Sequence, residues 1–182
     1  MWVRILPGVL LKIKSSNVQL KTLFNILRSF IYVPAFILFF GWIALSVRVY
    51  DERIGLMLPL WTRPVGIVLI TLGGMLGLIC VLVFILRGKG TPAVFDPPTE
   101  FVAIDSYKYV RNPMYIGGFI LLVGFGLYHH SISILILTVI LFFLFHLFVV
   151  FVEEPGLERR FGESYIGYKN SVNRWIPKWK IK

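Results

Sequence analysis

Cysteine is nearly absent from this chain: Cys80 is the single one in 182 residues. No disulfide and no thiolate metal site can be assembled within one copy. Histidine is also scarce, with three residues, two of them adjacent at His129 and His130 and the third, His146, inside an apolar run. That spacing offers no metal-ligand set. Acidic residues number nine against 19 Lys and Arg, for a formal net charge of +10. The basic residues flank apolar runs instead of forming a separate patch. Contacts with anionic headgroups and orientation signals therefore account for them, and a nucleic-acid partner is not implied. Internal repeats and low-complexity tracts are absent, as are the alternating polar and apolar patterns of a soluble core.

What the chain has in abundance is long apolar runs. Hydrophobic residues make up 57% of it, and the mean hydropathy is +0.79, which predicts an integral membrane protein of all-α class. Ile132 to Val152 carries no formal charge over 21 residues, about 30 Å as a helix, matching a hydrocarbon core. Val65 to Leu86 is a second span, Phe30 to Val47 a third with Pro34 as a kink, and Met114 to Tyr128 a shorter fourth. About four transmembrane helices are expected in one membrane domain. Residues 1–29 form an N-terminal interfacial segment in which Leu20, Leu23, Phe24 and Leu27 mix with Lys21 and Arg28. No small-residue cleavage site precedes Ser15, so a signal peptide is not expected. The membrane core covers 30–152, with a loop at 87–113, and residues 153–182 form the C-terminal segment.

Sixteen of the 19 basic residues fall in the N-terminal segment, the 87–111 loop and the tail from Arg159; only Arg48, Arg53 and Arg63 lie on the other side. The positive-inside rule then puts both termini in the cytoplasm. The loop after Arg87 is rich in Gly and Pro and longer than a connector needs, which suits either a binding loop or a passive cap. In the tail, Leu157, Phe161, Tyr165 and Tyr168 recur on one helical face, predicting a cytoplasmic amphipathic helix with Pro155 in its first turn. Trp175 and Trp179 with their neighbouring Lys and Arg have the make-up of an interfacial anchor.

Two motifs carry chemistry. Arg111-Asn112-Pro113-Met114-Tyr115-Ile116-Gly117 opens one apolar helix, and Glu153-Glu154-Pro155 closes the next. The short turn at His129, His130 and Ser131 makes the two helices antiparallel, returning both motifs to one membrane face. An ionised carboxylate in hydrocarbon costs several kcal/mol unless solvated or paired. The Glu pair is thus either a membrane-interface boundary or a site for ribose hydroxyls, an ammonium or a sulfonium. Arg111 is either a headgroup anchor or the cation that positions an anionic group. Asn112 precedes Pro113 and is held away from helical geometry, which leaves backbone groups ahead of the span available to a ligand. Gly117, Gly118, Gly124 and Gly126, with Gly73 and Gly77 in the second span, read as close helix packing. His146 precedes Glu153 by seven residues, two turns along the same face. It is either a hydrogen-bonded core histidine or a proton acceptor.

Asn-Pro-Met-Tyr-x-Gly, followed one hairpin later by Glu-Glu-Pro, then Phe161-Gly162-Glu163-x-Tyr165-x-x-Tyr168 and Ile176-Pro177, resembles the membrane-embedded methyltransferase superfamily. That group includes phosphatidylethanolamine N-methyltransferases and isoprenylcysteine carboxyl methyltransferases. The match runs over residues 99–177. The resemblance implies S-adenosylmethionine as cofactor, held on the cytoplasmic face by Asn112, Pro113, Met114, Tyr115 and Gly117, a strand-like stretch near Phe101, Val102 and Tyr107, and Glu153 with Glu154. It implies a membrane lipid or other amphiphile as acceptor, entering laterally from the bilayer. Arg111 would hold the lipid phosphate, and His146 or one carboxylate would take the proton from an amine acceptor.

The resemblance also grades the acceptors. The prenylcysteine branch carries an Arg four residues ahead of its acidic cluster, where this chain has Val149, and usually a His where this chain has Asn112. Asn-Pro-Met-Tyr and Glu-Glu-Pro are similar to the phospholipid N-methyltransferase branch, whereas Arg111 is shared with the prenylcysteine branch. Phospholipid amine methylation is therefore favoured. Carboxyl methylation, methylation of a small hydrophobic acceptor, and a non-catalytic lipid-binding protein remain alternatives; oligomeric state is open.

Overall fold

Among the described residues, four apolar helices and a short polar one order the chain. A computed structural model of the protein describes residue 27, residues 31–83 and residues 105–177. Helix α1 runs Ile31–Ile54 and remains helical through Pro34, tightening to a 3₁₀ turn at Val47–Tyr50. It ends at Gly55, whose φ of +68° costs little without a Cβ. Helix α2 is Thr62–Val83 and α3 is Pro113–Tyr128. Helix α4 runs Ile132–Phe161, and α5 is Glu163–Ser171. Helices α1, α2 and α4 are long and apolar enough to cross a membrane, while α3, at 16 residues, is shorter. The all-α membrane architecture expected from the apolar runs is the one found. Among the described residues there is no strand, only a single parallel bridge between Val110 and Asn173.

Helices α2 and α3 pack antiparallel with their backbones in near contact, because glycines face each other at two levels. A Cβ on Gly66 would lie 2.6 Å from the Gly124 carbonyl oxygen and 2.6 Å from the Tyr128 nitrogen. One on Gly73 would lie 2.5 Å from the Gly117 oxygen. Main chain cannot yield as a side chain can, so these positions admit hydrogen alone. The partner of Gly73 along α2 is Gly66, two turns back, and Gly66 carries no sequence signal beyond being one glycine in an apolar run.

On the face opposite the two motifs, three chain segments are tied by polar groups. Tyr128 ends α3, and His130 takes a left-handed turn at φ 54°. The Ser131 amide donates back to the Gly126 carbonyl at 2.9 Å, closing the helix C-terminus. The Ser131 hydroxyl then caps α4 by accepting from the Ile134 amide. The Asp51 carboxylate, arriving from α1, accepts from the Ser133 amide at 2.8 Å, a second cap supplied from far away in sequence. The Thr62 hydroxyl at the start of α2 lies 3.1 Å from the Leu127 carbonyl and 3.2 Å from His130 Nδ1.

Two departures shape the site. Helix α4 does not end with the membrane span; it continues through a π-turn at Val149–Glu153 and on to Phe161. One wide turn changes which side chains share a face. The tail also forms two helices where one was expected. Gly162, with φ +55°, separates Phe161 from Glu163, and Tyr165 and Tyr168 pack inward from α5.

Candidate functional site

The two motifs meet where α3 begins and α4 passes through its π-turn. Asn112 sits at φ −122°, ψ 54°, outside helical geometry, and its side chain does not cap α3. Pro113 occupies the first turn, where its missing N–H is no loss. Tyr115, one turn in, donates its hydroxyl to Glu153 Oε2 at 2.9 Å. Gly117 is buried against α2, and Met114 packs against the Cys80, Val83 and Tyr107 cluster.

The two adjacent glutamates have different environments. Glu153 is half-buried and, among the described residues, its hydrogen bond comes from Tyr115 alone. Glu154 has a side chain only 4% exposed and is enclosed by cations. Arg174 grips it with two bonds, Nε to Oε1 at 2.7 Å and an amino nitrogen to Oε2 at 2.8 Å. Arg111 pairs with the same carboxylate at 3.0 Å, and Lys169 Nζ stands 3.7 Å away. Glu154 holds the Arg174 guanidinium still more firmly protonated than usual. A fork-to-fork arginine contact of this kind fixes geometry as well as charge.

These bonds strap the segment after α5 across the entrance to α3. The Arg111 amide donates to the Asn173 carbonyl at 2.9 Å, next to the bridge that links Val110 and Asn173. An Arg111 amino group donates to the Lys169 carbonyl at 2.9 Å, and the Asn112 amide group reaches the Arg174 carbonyl at 3.4 Å. Tyr168 donates to the Tyr107 carbonyl at 2.7 Å. Burial pushes the phenols of Tyr107, Tyr165 and Tyr168 well above their ordinary range, so all three stay neutral hydrogen-bonding groups.

Asn112, Pro113, Met114, Tyr115, Glu153 and Glu154 converge on one locality. Arg111 is there too, but turned inward: its side chain is 9% exposed and engaged with Glu154 and Lys169, and its buried Nε has no partner among the described residues. Tyr107 lies in a 3₁₀ turn, Asp105–Lys108, where a strand-like stretch was expected. Phe101 and Val102 lie outside the described residues. His146 receives the indole N–H of Trp175 on Nδ1 at 2.9 Å and, among the described residues, bonds to neither carboxylate. Trp175, expected as an interfacial anchor, faces inward onto His146, Phe142 and Tyr115. The contributions of Arg174, Lys169 and Trp175 had no sequence signal beyond a basic, Trp-bearing tail.

The family model described as phospholipid methyltransferase matches residues 61–164, more than half of the chain and inclusive of both motifs. The chain belongs to the phospholipid methyltransferase family. It is a multi-pass membrane methyltransferase, and the Tyr115–Glu153 contact lies inside the family-matched region, whereas Arg174 and Trp175 of the strap lie beyond it. Searches of curated proteins and of solved structures return no match.

Proposed function

We propose that this family member transfers a methyl group from S-adenosylmethionine to the amine head of a phospholipid at the cytoplasmic membrane face. The observation that carries the reading is Glu153, a half-buried carboxylate held by a neutral donor, Tyr115, where the two family motifs meet. Its residues fit a sulfonium-bearing cofactor. A carboxylate with no cation partner among the described residues, aromatic rings beside it, a helix N-terminus without a side-chain cap and the Arg111 Nε, also without a partner among the described residues, are the donor and acceptor types such a molecule needs. S-adenosylmethionine, when bound, supplies an activated methyl group on sulfur.

The chain's own part is to align the acceptor, exclude water and accept a proton. A lipid ammonium is protonated at neutral pH and must lose a proton before its nitrogen can act as nucleophile. Glu153 is the acceptor for that proton: Tyr115 occupies Oε2, which leaves Oε1 to receive it. His146 would have to release Trp175 before Nδ1 could accept a proton, so we assign the role to Glu153. Arg111 is paired with Glu154 and the Lys169 carbonyl, and we assign it to organising the entrance in preference to holding a lipid phosphate. Val149, buried in the π-turn where the prenylcysteine branch carries an arginine, offers no charge to an acceptor carboxylate and favours an amine. The excess of Lys and Arg on the motif side supports the cytoplasmic assignment.

The test is calorimetric binding of S-adenosylmethionine to protein in nanodiscs, followed by transfer of labelled methyl to phosphatidylethanolamine, for wild type and Glu153→Gln. Saturable binding with wild-type transfer that falls by ~10²–10⁴ in the variant supports the assignment. Absence of cofactor binding in the wild type overturns it.

A further inference from the structure

Trp175 is the residue whose position the family reading leaves unused. The strap brings it into a nest of rings from the site-facing halves of α3 and α4. Its centroid lies 5.3 Å from Phe142, 6.2 Å from Phe119 and 6.4 Å from Tyr115. Tyr115 and Phe145 close another side at 5.2 Å. Glu153 stands at the rim of this nest through its bond to the Tyr115 hydroxyl. Clustered aromatic rings with a carboxylate at their rim are the group types that attract an organic cation, and an alkylated ammonium with few N–H donors left is recognised by ring faces more than by hydrogen bonds.

What fixes the indole is His146. Trp N–H is a donor only, and Nδ1 of His146 accepts it at 2.9 Å, which places the proton of the neutral imidazole on Nε2. Arg174, the preceding residue, is clamped to Glu154 by two bonds, so the backbone that carries Trp175 is anchored as well. A tryptophan held at both its backbone and its ring N–H is pre-organised, and a preformed wall loses little freedom when a ligand arrives.

We infer that Trp175, held by His146, is the wall of the subsite for the cationic head of the acceptor and is a specificity-determining residue, with His146 its positioning partner. The inference rests on the amine-acceptor reading above. It assigns a role to a segment that lies beyond the family match.

Two measurements decide it. In the first, acceptor and cofactor KM are measured with phosphatidylethanolamine and with phosphatidyldimethylethanolamine for wild type, Trp175→Phe, His146→Leu and His146→Gln. The expected result is an acceptor KM raised on the order of fivefold in Trp175→Phe and His146→Leu, larger for the dimethylated lipid, with cofactor KM unchanged. His146→Gln, whose carbonyl accepts the indole N–H, restores the wild-type acceptor KM and leaves the pH profile in place. The double variant Trp175→Phe with His146→Leu is no worse than either alone, as two ends of one bond require.

The second needs no turnover. Protein carrying 5-fluorotryptophan is placed in phosphatidylglycerol nanodiscs, and the Trp175 ¹⁹F resonance is assigned by its loss in Trp175→Phe. Adding phosphatidyldimethylethanolamine shifts that resonance and adding further phosphatidylglycerol does not. The inference is overturned if His146→Gln loses turnover as badly as His146→Leu, if acceptor and cofactor KM rise together, or if the resonance ignores the ammonium lipid. A wild type that transfers no methyl group but shows the selective ¹⁹F shift retains the cation subsite and rejects the catalytic reading.

Discussion

Replacing Glu154 with glutamine tests whether the two neighbouring glutamates do separate work. Glu154 is 4% exposed and holds Arg174 through two bonds and Arg111 at 3.0 Å, with Arg111 itself 9% exposed. Neutralising the carboxylate leaves those guanidiniums facing each other without a counter-charge, and removing one partner from such a buried set costs about 3–5 kcal/mol. Lys169, 37% exposed and 3.7 Å away, adds little. For a chain of this length about 2–4 °C of midpoint accompanies each kcal/mol, so the melting midpoint falls by ~6–20 °C. Glu153→Gln keeps an oxygen for the Tyr115 hydroxyl, and its stability cost is about 1 kcal/mol or less. Tryptophan-fluorescence melts of both variants in one detergent compare the two directly. A Glu154→Gln midpoint within about 2 °C of wild type, or a Glu153→Gln midpoint as low as that of Glu154→Gln, would refute the division of labour.

Helix packing yields a paired test. Gly73→Ala places a methyl group against the Gly117 carbonyl and lowers stability by about 1–3 kcal/mol, whereas Gly74→Ala, with nothing within 4 Å of its Cβ among the described residues, is neutral or stabilising in the same melts. Asp51→Ala removes the cap that reaches Ser133 from α1 and costs ~0.5–2 kcal/mol, read as faster amide exchange in the first turn of α4. Tyr168→Phe loses the bond to the Tyr107 carbonyl, lowering stability by ~0.5–1.5 kcal/mol and loosening the strap to limited proteolysis.

The sequence determined the compartment, the class of fold, the antiparallel hairpin and the meeting of its two motifs. Apolar runs of about 20 residues have few solutions in a bilayer, since each backbone N–H and C=O must be satisfied within its own helix. A turn as short as His129–Ser131 leaves two helices no arrangement but antiparallel. Gly162 sat inside the expected tail helix, and only its backbone conformation, with φ +55°, showed that it splits that helix.

Tertiary structure decided which residues of the site are chemically available. Arg111 and Glu154 each looked like a ligand group, yet they pair with one another, and Arg174, 20 residues beyond Glu154, takes up the same carboxylate. No local pattern announces that pairing, because an ion pair depends on where two chain segments come to lie and not on their spacing. The π-turn at Val149–Glu153 was equally silent, since an extra residue per turn is a response to packing. Trp175 shows the same limit: a Trp beside basic residues has the composition of an interfacial anchor, and only the fold of the strap turns it onto His146. Hydrophobic length is a property of a segment and survives in the one-dimensional chain; the partner of a polar group is a property of the assembled molecule.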